Sequence, residues 1–154
     1  MLTRARYLAL IDAPAIEAAI VRAEARTSGE IRVSVAPFFW GDVRRTAEAA
    51  FDRLGMAATR ERNGVLIFVV PARRRFAVIG DAGIHARVGD AFWTEVGGRL
   101  SAAFRAGRYT EGLVAGIEAL GEGLARGFPA DPARNPDELP NAVVALGRGS
   151  DPAR

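Results

Sequence analysis

The apolar positions near the start of the chain repeat with the period of an α-helix. Asp12 is a typical N-cap residue, and Pro14 favours the first helical turn. The apolar residues that follow are spaced three or four apart, and they are Ile16, Ala19, Ile20 and Ala23. The spacing stops near Arg26, before residues 27–29 (TSG). This pattern predicts a first helix over about residues 12–26.

Three later segments have the patterns of β-strands. Residues 31–35 alternate apolar and polar side chains, which predicts a strand with one wetter face. Residues 65–70 are all apolar, which predicts a central strand that is covered on both faces. Residues 75–80 follow after a link too short for a crossover, so we expect an antiparallel hairpin. The first two strands are joined through a helix and should be parallel.

Three further segments have helical spacing of apolar residues. Their predicted extents are residues 42–55, 90–107 and 110–127, with Asp42, Asp90 and Thr110 as candidate caps. Gly112 and Gly116 on the last helix allow close backbone packing, which we expect to be internal rather than a dimer face. With the strands, these helices predict a single α/β domain that has a small mixed sheet between helices.

We place this domain at residues 1–128. Five of the eight prolines lie in residues 129–154, which predicts a proline-rich C-terminal tail that is partly docked or disordered. Within this tail, residues 141–146 are the segment that we expect to dock on the domain. The chain start resembles the opening of a signal peptide, but its apolar run stops at Asp12 and Pro14. We therefore expect a soluble, cytoplasmic protein with no direct membrane insertion.

The composition excludes several kinds of enzyme site. The chain has no cysteine, and its 21 basic residues are all arginine. Disulfides, thiolate metal sites, Schiff bases and a normal P-loop are thereby excluded. A dinucleotide-binding motif starting at Gly80 fails at Ala82, and the single histidine, His85, cannot form a multi-histidine zinc site. We expect no nucleotide, haem or zinc. A net charge of +3 with scattered arginines also argues against nucleic acid.

The densest polar segment, residues 80–90, leaves the third strand and enters a helix. The predicted hairpin places this exit beside the entrances of the first two strands. The side chains expected to share this rim are Glu30, Asn63, Asp81, His85 and Asp90. Oxygen ligands without thiolates suit Ca²⁺ or Mg²⁺. The sequence therefore predicts a divalent-cation site with Glu30, Asn63, Asp81 and Asp90 as ligands.

Each of these residues also has a purely structural interpretation. Asp81 and Asp90 are good cap and turn residues, and residues 63–64 (NG) form a plain turn dipeptide. His85 at a helix start is typical of an edge histidine. The aromatic run at residues 38–40 (FFW) is either a partner-binding patch or a cover for the core, and we favour the core.

Several segments resemble the TPM domain family, which includes the thylakoid acid-phosphatase-like protein and related bacterial domains. They are residues 27–33 (TSGEIRV), 62–69 (RNGVLIFV), 76–84 (FAVIGDAGI) and 104–109 (FRAGRY). The resemblance implies a three-layer α/β/α sandwich and a site at the strand ends that binds divalent cations in some members. It also implies the acid phosphatase activity claimed for plant members. Glu30, Asn63 and Asp81 fall on matching motif positions, whereas His85 and Asp90 are added by proximity.

Two functions remain open, and no catalytic residue is assigned. The first is a binding or assembly module that binds Ca²⁺ or Mg²⁺ at the rim and docks a protein partner, with Arg62, His85 and Trp40 as candidate contacts. The alternative is a metal-dependent phosphomonoesterase in which Asp81 and Glu30 hold the cation and Arg62 neutralises phosphoryl oxygens. The missing nucleophile motifs favour the binding module. Whether the protein is an enzyme stays undecided at this point.

Overall fold

Four strands form one mixed sheet with helices on both faces. The computed structural model describes residues 10–130 and 143–145. The strands, in chain order, are β1 (Glu30–Val35), β2 (Gly64–Val70), β3 (Arg75–Gly80) and β4 (Val144–Ala145). The helices are α1 (Ala13–Glu24), α2 (Val43–Arg53), α3 (Ala82–His85), α4 (Asp90–Arg105) and α5 (Tyr109–Gly127). The order of strands in the sheet is β3-β2-β1-β4.

The strand pairing confirms the predicted α/β topology. β1 runs parallel to β2, starting at the Glu30–Gly64 pair, and β3 runs antiparallel to β2 as a hairpin. β4 adds a short parallel strand next to β1, with Val144 beside Ser34. Most of the predicted tail, like residues 1–9, lies outside the described residues.

The buried strand β2 separates two apolar cores. Its Val65, Ile67 and Val69 side chains pack with α1, α4 and α5, whereas the intervening side chains pack with α2. All seven residues of β2 are buried, which confirms the predicted central strand. The face of β1 predicted to be wetter is largely buried, because Ser34 has 0% exposure and only Arg32 on that face is partly exposed. On the same face, burial lowers the pKa of Arg32 from its usual value.

Helix starts agree with the predicted caps at some positions and differ at others. Asp42 caps α2 by accepting from the Arg45 N–H at 2.8 Å. Asp90, expected to be a cap, is instead the first residue of α4, and the extended Gly89 is the cap. An aspartate in the first turn still interacts favourably with the helix dipole. Thr110 lies inside α5, and its hydroxyl accepts from the backbone N–H of Asp12 at 3.1 Å.

The aromatic run at residues 38–40 is mostly outside the core, contrary to the expectation. Only Phe39 packs against the α2-side core. Phe38 is 44% exposed and Trp40 is 90% exposed. Successive side chains of an extended segment point in opposite directions, so burying Phe39 directs both of its neighbours outward.

Glycines allow α4 and α5 to approach closely. A Cβ on Gly112 would lie 2.5 Å from the Ala103 Cβ, which confirms internal packing of this face. A Cβ on Gly123 would lie 2.0 Å from Phe92 Cδ2. In the described parts of the chain, no helix is both long enough and apolar enough to cross a membrane.

We predict that Gly123→Ala destabilises the protein although alanine is the better helix former. The added methyl group overpacks the Phe92 ring, which costs about 1–3 kcal/mol and exceeds the gain of about 1 kcal/mol in helix propensity. Gly98→Ala is the matched control, because nothing lies within 4 Å of its Cβ position. Urea unfolding should show a loss for the first variant and a small gain for the second. Equal shifts in both would contradict the packing argument.

Candidate functional site

The entrances of β1 and β2 and the exit of β3 meet at one edge of the sheet. Glu30 is paired with Gly64 on one side, and on the other side the Asp81 N–H donates to the Gly64 carbonyl at 2.9 Å. The polar side chains of Glu30, Asn63 and Asp81 are buried there, with residue exposures of 3%, 1% and 5%. We call this edge the polar rim and define it by Ser28, Glu30, Glu61, Arg62, Asn63 and Asp81.

One part of the polar rim is a hydrogen-bonded cluster around Asn63. The Ser28 hydroxyl donates to Glu61 Oε2 at 3.0 Å, and the Asn63 amide Nδ2 donates to Ser28 Oγ at 3.2 Å. The same Nδ2 lies 3.4 Å from Glu61 Oε2. The amide oxygen Oδ1 of Asn63 is buried and accepts no hydrogen bond from the residues that the structure describes.

The other part of the polar rim is an ion pair. Arg62 donates to both carboxylate oxygens of Asp81, from Nε at 2.7 Å and from a terminal nitrogen at 2.9 Å. The hydrogen bond and the charge of Asp81 raise the pKa of Arg62, so the guanidinium stays cationic. Asp81 also caps α3 by accepting from the Ala82 N–H at 2.7 Å. The Asp81 side chain is 4% exposed, whereas that of Arg62 is 53% exposed.

Backbone geometry fixes Arg62 at the entrance to β2. Its φ of 52° lies in the left-handed region, which costs a non-glycine residue on the order of 1 kcal/mol. The Arg62 N–H donates to the Thr59 carbonyl, and the Gly83 N–H donates to the Arg62 carbonyl at 2.9 Å. A Cβ at residue 83 would lie 2.2 Å from the Glu61 carbonyl oxygen, so only glycine fits. The glycine of the loop after β3 thus allows the two loops to touch.

Three of the predicted site residues lie elsewhere. Asp90 is exposed at the start of α4, and within the described residues no hydrogen bond or ion pair joins it to the polar rim. His85 is exposed, and its ring centroid lies 5.7 Å from that of Trp93. Trp40 follows the opposite end of β1 from Glu30.

Sequence reasoning missed Glu61 altogether. It adjoins the Arg62–Asn63 pair that carried the family resemblance, but it precedes the segment that matched. Its partner Ser28 lies in the segment at residues 27–33 that also matched. The one signal that could have indicated Glu61 was the expected parallel pairing of β1 with β2, because it places the residues before β1 next to those before β2.

The oxygen donors of the polar rim fit a hard cation only in part. Within residues 10–130 and 143–145, no three histidine, aspartate or glutamate side chains form a group that could hold a metal ion. Glu30 and Asp81 lie on either side of β2, about 10 Å apart at the spacing of adjacent strands. Arg62 already neutralises Asp81. The donors that fit best are therefore Ser28, Glu61 and Asn63.

We predict that Asp81→Asn lowers stability and that Asp81→Ala lowers it further. The amide keeps an acceptor for the Ala82 N–H but loses the charge that pairs with Arg62. Alanine loses the cap as well, which costs about another 1 kcal/mol. Asp52→Asn on the exposed face of α2 is the control. Equal urea midpoints for the two Asp81 variants would contradict this structural role of Asp81. A decrease of the same size in the Asp52→Asn control would contradict it as well.

Comparisons with known proteins identify the family. The TPM domain pattern matches residues 3–123. The NMR structure of the BA42 protein from the psychrophilic bacterium Bizionia argentinensis is 40% identical, covers 87% of this chain and 92% of its own, and has a TM-score of 0.82.

Two more distant structures share the fold. The N-terminal domain of a P. gingivalis protein is 21% identical, with 74% of this chain and 75% of that chain covered and a TM-score of 0.58. The N-terminal domain of the cg2496 protein from Corynebacterium glutamicum is 17% identical, with 89% and 78% covered and a TM-score of 0.57. No curated protein sequence matches the chain. The family pattern and the 40% identical structure lead to one conclusion: the chain belongs to the TPM domain family.

Proposed function

We propose that this TPM domain is a binding and assembly module that holds a divalent cation at the polar rim and docks a protein partner. The observation that carries the proposal is the buried Asn63 Oδ1, which accepts no hydrogen bond from the described residues, whereas the Nδ2 of the same amide faces Ser28 and Glu61. A buried oxygen without a donor costs free energy, and a bound cation would remove that cost.

The residues that would hold the cation supply hard oxygen ligands. They are the Ser28 hydroxyl, the Glu61 carboxylate and the Asn63 amide oxygen, which suit Ca²⁺ or Mg²⁺. The Asn63 amide would have to turn over on binding, because its Nδ2 and not its Oδ1 faces Ser28 and Glu61. Glu30 and Asp81 add negative charge at the same edge, and Asp81 becomes a further donor if the half-exposed Arg62 turns away. A site with so few charged ligands should be weak, with a dissociation constant of about 10⁻⁴ to 10⁻³ M.

The ion pair favours binding over phosphate hydrolysis. In the alternative function, Arg62 would neutralise the phosphoryl oxygens of a substrate. Both of its donor positions facing Asp81 are occupied, so a phosphoryl group would have to compete with a buried carboxylate. The competing carboxylate leaves less positive charge for the transition state.

The proposal assigns the partner contact to exposed aromatic side chains. Trp40 and Phe38 form an edge-to-face pair with ring centroids 4.8 Å apart. A tryptophan that is 90% exposed gains nothing from the core, whereas tryptophan is enriched where partners bind most strongly. The protein partner would meet this pair at the opposite end of β1 from the polar rim.

We predict that Ca²⁺ or Mg²⁺ raises the melting temperature and that Glu61→Gln abolishes this rise. A cation at ten times its dissociation constant adds about 1.4 kcal/mol to the folded state, which corresponds to roughly 3–6 °C. Glu111→Gln is the matched control, because Glu111 is exposed at the N-terminal end of α5, away from the polar rim. Differential scanning calorimetry at increasing CaCl₂ or MgCl₂ measures the effect. The cation site is refuted if Tm does not respond, or if Glu61→Gln responds like the control.

We also predict no phosphomonoesterase activity that depends on the polar rim. Hydrolysis of p-nitrophenyl phosphate, measured with Ca²⁺ or Mg²⁺ present, should be the same for the parent protein, Asp81→Ala and Glu61→Gln. An activity that vanishes in both variants and persists in Glu111→Gln would establish the phosphatase alternative instead.

A further inference from the structure

Strand β3 ends the sheet, and its outer edge faces a groove of about 500 Å³. Phe76, Val78 and Gly80 of β3 line the groove. Arg44 of α2 contributes to one wall, and Trp93 of α4 contributes to the other. Because α2 and α4 cover opposite faces of the sheet, the groove between them has room for one more strand beside β3.

The backbone of β3 is arranged to accept such a strand. The hydrogen bond from Asp81 to Gly64 sets the alternation of the antiparallel ladder. Residues 75, 77 and 79 therefore bond to β2, whereas the N–H and C=O groups of Phe76, Val78 and Gly80 point toward the groove. No described strand pairs with this side of β3. The outward groups span about 13 Å, which matches a short extended peptide.

The two walls of the groove differ in chemistry. Phe76 and Val78 pack toward the core on the α4 side, where the Trp93 ring lies over Gly80. On the α2 side, the one ion-pair partner of Arg44 among the described residues is the exposed Glu48, and such a surface pair contributes little to stability. Arg75 lies on the same face of the sheet by alternation along β3, although it does not line the groove itself. His85 lines the groove beside Trp93, so one wall carries the Trp93 and His85 rings and the other carries Arg44.

We infer that the edge of β3 is a docking site for an extended segment of another protein in which acidic and apolar residues alternate. Side chains of an added strand point alternately to the two faces of the sheet. The apolar residues of this segment would face Trp93, and its acidic residues would face Arg44 and Arg75. The inference does not rest on the cation proposed for the polar rim.

Charge argues against a second copy of this chain as the occupant. Two β3 edges paired about a two-fold axis would place the same faces of both sheets side by side. Arg44 and Arg75 of both copies would then add positive charge to the same face of the joined sheet, and like charges oppose such a contact. An acidic segment instead complements these arginines.

Trp93 offers a direct readout of occupancy. Its ring covers the edge at Gly80, where an added Cβ would lie 2.5 Å from Cη2. The chain has two tryptophans, and Trp40 does not line the groove. Trp40→Phe therefore leaves Trp93 as the only indole fluorophore.

The test is a fluorescence titration of the Trp40→Phe protein with a terminally blocked Val-Glu-Val-Glu-Val-Glu peptide. We expect a saturable change in Trp93 emission. A Val-Lys peptide of the same length, and the Val-Glu peptide with alternate amides N-methylated, should each bind about tenfold more weakly or not at all. The first comparison tests the charge requirement, and the second tests backbone pairing.

Variants of the chain complete the test. Arg44→Glu should weaken peptide binding about tenfold, whereas Arg53→Glu, on the same helix but outside the groove, should leave it unchanged. Val78→Pro should abolish binding because it removes an outward N–H, and circular dichroism shows whether it folds. The Glu61→Gln variant should bind the peptide as tightly as the parent protein does. Failure of the cation proposal and failure of the docking proposal can then be told apart.

Several outcomes would overturn the inference. They are the absence of a saturable change up to about 1 mM peptide, undiminished binding of the N-methylated or Val-Lys peptide, and equal effects of Arg44→Glu and Arg53→Glu. Analytical ultracentrifugation provides a further check. A dimer that forms in the parent protein and is lost in Arg44→Glu or Val78→Pro would assign the edge to a second copy.

Discussion

Both faces of strand β2 are shielded from water, and this double burial determines how the other elements are arranged. All seven of its residues are buried, so helices must cover the sheet on two sides. One core joins β2 to α1, α4 and α5, and the other joins it to α2. β1 and β3 then take the two hydrogen-bonding edges of β2. The faces of the small sheet are thus covered by helices, whereas no strand in the described part of the chain pairs with the outer edge of β3.

The polar rim forms where the chain enters this buried strand. Backbone and side-chain polar groups that leave water at that point must find partners within the protein. Arg62 adopts a left-handed conformation there and neutralises Asp81, while Asn63 bonds to Ser28 and approaches Glu61. The same requirement explains why functional candidates and fold-determining turns occupy one edge of the molecule.

Rim and groove are neighbouring but chemically distinct surfaces. The rim gathers oxygen donors, whereas the groove offers free backbone groups between a basic and an aromatic wall. Asp81 ends β3 at the rim, and Gly80, directly before it, belongs to the groove. Their proximity allows a partner that reaches the groove to come close to the rim as well.

The sequence by itself determined the strand order from β1 to β3, the burial of β2 on both faces and the location of Glu30, Asn63 and Asp81 at one edge of the sheet. Periodicity reports which side chains are buried, and a short hairpin link dictates antiparallel pairing. Only the tertiary structure decided that Arg62 pairs with Asp81, that Glu61 joins the rim, and that Asp90 and Trp40 lie elsewhere. These outcomes depend on distances between side chains that are far apart along the chain, and a local pattern contains no information about such distances.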